Sequence, residues 1–191
     1  MIHILGKGDL SKEFVSFANL AIESCKFYDT DDLIDNSFIK TYEKGDFIYI
    51  AITDPIIKQK FYNFLIRKHL KPSTYIHPSV LVGRDSYIGE GCIIQPNSII
   101  SNNVIIEDSV FINCNSNIGH DSIIGKNSSL MANVNVGGHC SIGNNTFVGT
   151  GAIIIPGIKV VENIKIGAGA VVIRNIKYEG TYFGNPAKKI F

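Results

Sequence analysis

The chain has 191 residues, and its 18 Lys and Arg nearly balance 17 Asp and Glu, for a formal net charge of +1. That balance argues against nucleic acid as the main partner, and the length holds one or two domains. No long apolar run and no basic-then-apolar N-terminal signal pattern occur, so neither a membrane span nor export is expected. The cysteines Cys25, Cys92, Cys114 and Cys140 show no C-x-x-C spacing, which fits free thiols in a reducing, cytoplasmic setting.

Residues 1–72 read as a small α/β domain. Ile2-His3-Ile4-Leu5 is a short apolar strand ending at Gly6. A helix follows from Ser11 to Ser24, with Leu10, Phe14, Phe17 and Ala21 on one face and Asp9 or Ser11 as its cap. Cys25 to Tyr28 reads as a second strand, and Asp29-Thr30-Asp31-Asp32 as a polar loop. Phe47 to Ile52 is apolar throughout, as in a buried parallel strand. Thr53-Asp54-Pro55 starts a helix that presents Ile57, Phe61, Phe64 and Leu65 on one side. The expected order is β-α-β-β-α, or β-α-β-α-β with a further strand near residues 70–75.

From Ile76 to Val172 every sixth residue is aliphatic: Ile76, Val82, Ile88, Ile94, Ile100, Ile106 and onward without a slip. A small or β-branched residue follows four positions later, as at Cys92, Ser98 and Val104, and glycine often follows directly, as at Gly119 and Gly125. Six is neither a helical nor a simple hairpin period. It is the signature of a parallel β-helix, whose three hexapeptides close one triangular coil. Residues eighteen apart therefore stack. Residues 73–175 form this solenoid and 176–191 a tail. The α/β domain is expected to cap one open end and the tail the other. The flat apolar faces point to self-association.

The five histidines differ in promise. His3 reads as structural, His69 as solvated, and His77 as part of the domain junction. His120 lies in Asn117-Ile118-Gly119-His120-Asp121, where an exposed corner histidine and a proton-transfer base are both open readings. Asp121 can orient it. By the eighteen-residue rule Gly138 lies one coil above His120 and Asn102 one below, so an unobstructed backbone N–H beside the imidazole suits a developing oxyanion. His139 then lies above Asp121, as a structural partner or as a competitor for it. Zinc catalysis wants three protein ligands; only His120 and His139 come close, so no metal is expected. In the N-terminal domain Gly6-Lys7-Gly8 is either a tight strand-to-helix turn or a phosphate cradle, and in the second case Asp29 meets ribose or base hydroxyls.

These residues together resemble the bacterial hexapeptide-repeat acetyltransferases of the sialic-acid O-acetyltransferase and nucleotide-amino-sugar N-acetyltransferase type. The resemblance covers nearly the whole chain: the N-terminal domain, Ile76-His77-Pro78, the repeats, Gly119-His120-Asp121-Ser122-Ile123-Ile124-Gly125, and Gly184-Asn185-Pro186-Ala187-Lys188. It implies a left-handed β-helix, a homotrimer with active sites between subunits, and acetyl-CoA as donor. It implies His120 as general base supported by Asp121, and the Gly138 amide polarising the thioester. Thr150 and Ala168, eighteen apart, match positions lining the CoA groove. Asn113 matches a polar residue near the acceptor, and Gly8, Asp29 and Thr53 match positions that hold the nucleotide.

Three departures stand out. The family's Gly-x-Gly-Gly-His-Gly turn is here Gly6-Lys7-Gly8-Asp9-Leu10-Ser11, so Asp9 must point away from a diphosphate. Thr53-Asp54 replaces a glycine-rich strand end, and Ser129 stands where some relatives carry a second histidine near the donor. The expected function is N-acetylation of a nucleotide-linked amino sugar of the 4-amino-4,6-dideoxy type, for surface polysaccharide or glycan biosynthesis. The alternatives are O-acetylation of sialic acid or another sugar hydroxyl, a non-catalytic scaffold, or a metal enzyme.

Overall fold

The computed structural model describes residues 1–34 and 37–191. Three parallel strands, β1 (Ile2–Leu5), β2 (Cys25–Tyr28) and β3 (Phe47–Ile50), form a sheet in the order β2-β1-β3. Helices α1 (Asp9–Phe17), α2 (Thr30–Ile34), α3 (Ser37–Thr41) and α4 (Pro55–Arg67) connect and flank them. The order is therefore β-α-β-α-α-β-α. It differs from the sequence expectation between the second and third strands: α2 begins in the stretch read as a polar loop, and α3 is an element the sequence reading does not place. The cause is visible in the aspartates. The Asp29 carboxylate accepts from the N–H groups of Asp31 and Asp32 and so starts a helix rather than a loop. No strand forms between Leu70 and Thr74.

The first helix is shorter than expected. Its amides close at Ala18 onto Phe14, and Asn19 turns the chain out with φ of 50°. Ala21 consequently lies outside the helix, and the buried face is Ser11, Phe14 and Val15, with Phe17 exposed. Gly8, not Asp9 or Ser11, is the N-cap, and it makes no side-chain cap bond. His3 is structural: it is buried, with Nδ1 against the Tyr28 hydroxyl and Nε2 against Asp46.

Residues 75–172 form seventeen short parallel strands, from Tyr75–Ile76 to Val171–Val172. They stack into three sheets with an eighteen-residue register, as in Phe111↔Ser129 and Ile112↔Leu130. This is a left-handed parallel β-helix of about six turns. In each two-residue strand the second residue points inward, and Ile94, Ile112, Leu130 and Val148 are fully buried in one continuous core. Each such side chain contributes roughly 1.5–3 kcal/mol by burial. From Asp85 to Gly169 one residue at each corner takes a left-handed φ, and most of these are Asn, Asp or Gly, which tolerate it. Glycine after the aliphatic allows close stacking: a Cβ on Gly125 or Gly149 would meet the backbone one coil above.

The N-terminal α/β unit does not cap the solenoid's first coil, as expected from the sequence. It covers a side. Phe14, Val15 and Tyr49 pack on Ile93 and Phe111, the outward residues of the first face, and Ile76 and Val82 at the first coil remain exposed. At the other end Gly180–Phe183 adds to that face and Tyr182 and Ala187 pack on the core.

The seam between the two parts holds a buried lysine. Asp54 caps α4 by accepting from the N–H groups of Ile56 and Ile57. Four residues on, Lys58 is fully buried, donating to the Ser128 carbonyl at 2.9 Å and the Ser129 hydroxyl at 2.7 Å. Ile57, read as part of the buried face, is exposed instead. Burial pushes the Lys58 ammonium down to about 7. The folded state thus holds fewer protons than the unfolded one between about 7 and the ordinary lysine value of 10.5, so stability rises with pH across that window and the penalty is complete below it. Urea midpoints should climb between pH 7 and pH 10 in the wild type relative to Lys58→Met, whose curve lacks this component. Parallel curves would contradict the burial of a titrating amine.

Candidate active site

His120 follows the strand Asn117–Ile118, at the corner between the second and third faces. Its imidazole is exposed, and Nδ1 lies 2.7 Å from Asp121 Oδ2. A carboxylate only accepts, so Nδ1 carries the hydrogen and Nε2 presents a lone pair in the neutral ring. Asp121 is itself anchored from the coil below, where Asn103 Nδ2 donates to Oδ1 at 3.1 Å. The His120 hydrogen bond, followed by that of Asn103, holds the Asp121 carboxyl below its usual range.

Gly138 lies one coil above, as the register requires. A Cβ there would stand 2.7 Å from His120 Nε2, so only glycine lets the imidazole lie against this backbone. At three equivalent corners the amide is satisfied by a side chain one coil up: Arg84 by Asn102, Glu90 by Asp108, Lys126 by Asn144. Above Gly138 stands Pro156, which offers no such acceptor, and the Gly138 N–H has no partner among the described residues. A free donor and a free acceptor therefore sit side by side.

His139 completes the cluster. Its Nε2 is 3.8 Å from Asp121 Oδ2, and its ring meets that of His120 edge-on at 4.9 Å between centroids. It has φ of 57° at a corner position where most residues are Asn, Asp or Gly, a strain of the kind found at functional sites. The eighteen-residue register places His139 above Asp121 from the sequence, and the same register, not applied to Asn103, places that residue below it. The metal argument counted histidines alone, whereas Asp121 joins His120 and His139 as a third donor, all within 4.8 Å of one another. The short Nδ1–Oδ2 hydrogen bond is what a metal between them would have to replace.

The other sequence candidates fall in two further places. Asn113, Thr150 and Ala168 lie at the corner between the first and second faces, away from His120 on the same chain. Asn113 is buried and its Oδ1 accepts from the Cys114 N–H; Thr150 and Ala168 are exposed and stacked through the bond from Gly169 N–H to the Thr150 carbonyl. Gly8, Asp29 and Thr53 line one pocket of about 440 Å³ at the strand ends of the N-terminal sheet, where ligands of open parallel sheets bind. The Asp9 side chain points outward, fully exposed, with Lys12 at 3.8 Å. Ser129 is buried against Lys58 rather than open to a donor.

Neither a protein-family model nor a curated protein sequence matches the chain. Solved structures do. PerB from Caulobacter crescentus, in complex with CoA and GDP-perosamine, is 25% identical with a TM-score of 0.87, covering 100% of this chain and 97% of its own. The acetyltransferase domain of PglB from Neisseria gonorrhoeae is 22% identical at TM-score 0.88, covering 99% and 98%. WeeI from Acinetobacter baumannii is 22% identical at 0.73, covering 100% and 99%. PerB is a GDP-perosamine N-acetyltransferase, the kind of protein the sequence resemblance implied, and the PglB domain and WeeI share the fold.

The His120–Asp121 contact predicts a measurable coupling. In His120→Ala the Asp121 carboxyl should titrate closer to the ordinary aspartate value, read from its carboxyl carbon shift across an NMR pH titration. An unchanged titration would mean that the contact is not made in solution.

Proposed function

We propose that this chain, an acyltransferase of the hexapeptide-repeat type, transfers an acetyl group from acetyl-CoA to the amine of a nucleotide-linked amino sugar. The observation that carries the reading is the pairing of His120 Nε2, left basic by the Nδ1–Asp121 bond, with the unpartnered Gly138 N–H. The neutral sugar amine attacks the thioester carbonyl. His120 Nε2 takes the proton the nitrogen sheds, the Gly138 N–H stabilises the tetrahedral oxyanion, and the CoA thiolate leaves and collects the proton from His120. The amide bond forms as the C–S bond breaks, and no acyl-enzyme is required. A positioned base supplies roughly 10²–10⁴-fold and one oxyanion donor roughly 10²–10³-fold. Holding both substrates together supplies much of the remainder.

The donor runs along Thr150 and Ala168. These lie at a different corner from His120, so one CoA reaches both only between two prisms. That supports a homotrimer, as do the exposed outward residues Leu81, Ile99 and Ile153 on the second face and Tyr87, Ile105 and Ile123 on the third, the two faces that the N-terminal unit leaves bare. The nucleotide occupies the pocket of Gly8, Asp29 and Thr53, with Asn113 near the acceptor sugar. PerB was solved with a GDP-linked amino sugar, which favours an acceptor of that class here. Among the described residues no helix is long and apolar enough to cross a membrane; the cytoplasm, which holds both substrates, is the setting this reading implies.

Thiol release from acetyl-CoA should appear with one of the UDP-, GDP- or dTDP-linked 4-amino-4,6-dideoxy sugars and be lost by about 10²–10⁴-fold in kcat in His120→Ala, with CoA binding retained. Release with sialic acid alone would replace N- by O-acetylation. Full activity in His120→Ala would remove the base assignment.

A further inference from the structure

The pocket of the N-terminal unit carries an electrostatic problem. Three aspartates line it, Asp9, Asp29 and Asp54, against one cation, Lys7. A nucleotide sugar brings a dianionic diphosphate to the same place. Two of the carboxylates are disposed of locally: Asp9 faces solvent and Asp54 caps α4. Asp29 caps α2 through Oδ1 alone, which leaves Oδ2 to the pocket, and Asp32 stands behind it. Their charge is met by Lys7, whose Nζ lies 3.0 Å from Asp29 Oδ2 and 2.7 Å from Asp32 Oδ2. Lys7 sits inside the strand-to-helix turn, between Gly6 and Gly8. Beside it Gly8 caps α1 with no side chain, and a Cβ there would meet nothing, so the space in front of the helix N-terminus is open.

Resting on the nucleotide-sugar reading above, we infer that Lys7 is the diphosphate-binding cation of this pocket and that ligand binding is a counter-ion exchange. The diphosphate takes the Lys7 ammonium at the N-terminus of α1. The ribose hydroxyls take the Asp29 oxygen that Lys7 leaves, and Asp32 continues to receive the Asp29 N–H at 2.8 Å, holding the turn. The exchange gives the diphosphate a cation without leaving the Asp29 oxygen unpaired.

The test is binding of UDP, GDP and dTDP, and of the parent nucleosides, to the full-length protein by calorimetry and NMR titration. For the nucleotide that binds wild type, Lys7→Met should weaken the diphosphate at least tenfold and leave the nucleoside unchanged. Lys7→Arg should recover most of the affinity. Asp29→Asn should weaken diphosphate and nucleoside alike. Equal weakening of both ligands by Lys7→Met would make Lys7 a structural clamp and overturn the exchange, as would no effect on either. Wild-type protein that binds none of the three diphosphates would overturn the nucleotide-sugar reading itself, and Lys7 with it.

Discussion

The eighteen-residue register is the constraint on which everything else rests. Each coil hydrogen-bonds the next through parallel two-residue strands, and the corners repeat a left-handed φ every six residues. The chain cannot slip by one residue without turning its aliphatics outward. The site is a consequence of that rigidity. His120 and Gly138 are eighteen apart, so the imidazole and the open amide are neighbours in stacked strands rather than on mobile loops. Asn103 and Asp121 repeat the relation one residue on and fix the imidazole from below. A rigid solenoid thus holds in place the donor and base of the proposed acyl transfer.

The second element is the seam at α4. Its first turn, capped by Asp54, borders the pocket of the N-terminal unit, while Lys58 one turn on is buried at Ser128 and Ser129. One helix therefore ties pocket to solenoid. Burying an ammonium is costly unless its hydrogen bonds are made, and the two bonds to Lys58 specify where the helix can sit. The same contact occupies Ser129, which explains why no side chain at that position is free for the acyl donor.

The solenoid was legible because its period is long, unbroken and physically unambiguous, and arithmetic then placed Gly138 and His139 correctly above His120 and Asp121. The α/β part was legible in its strands and less so between them. Its helices α2 and α3 are five residues each, and α2 is started by the Asp29 side chain, a local effect that polarity alone reads as loop. Lys58 was hidden because a lysine on a helix face is ordinarily solvated; only the partner surface makes it buried. The placement of the N-terminal unit on a side face was encoded in Ile93 and Phe111, outward positions as apolar as the exposed Ile99 and Ile105, so sequence gave no means of telling which face is covered within the chain.

The central claim is that base and donor groove meet from different chains. It is tested by mixing two inactive variants within one oligomer: His120→Ala, whose Thr150–Ala168 corner is intact, and Ala168→Trp, whose base is intact. Co-assembled protein should regain acetyl transfer that neither parent has, because some sites pair a wild-type histidine with a wild-type groove. Mixed oligomers as inactive as the parents would contradict the shared site and return catalysis to a single chain.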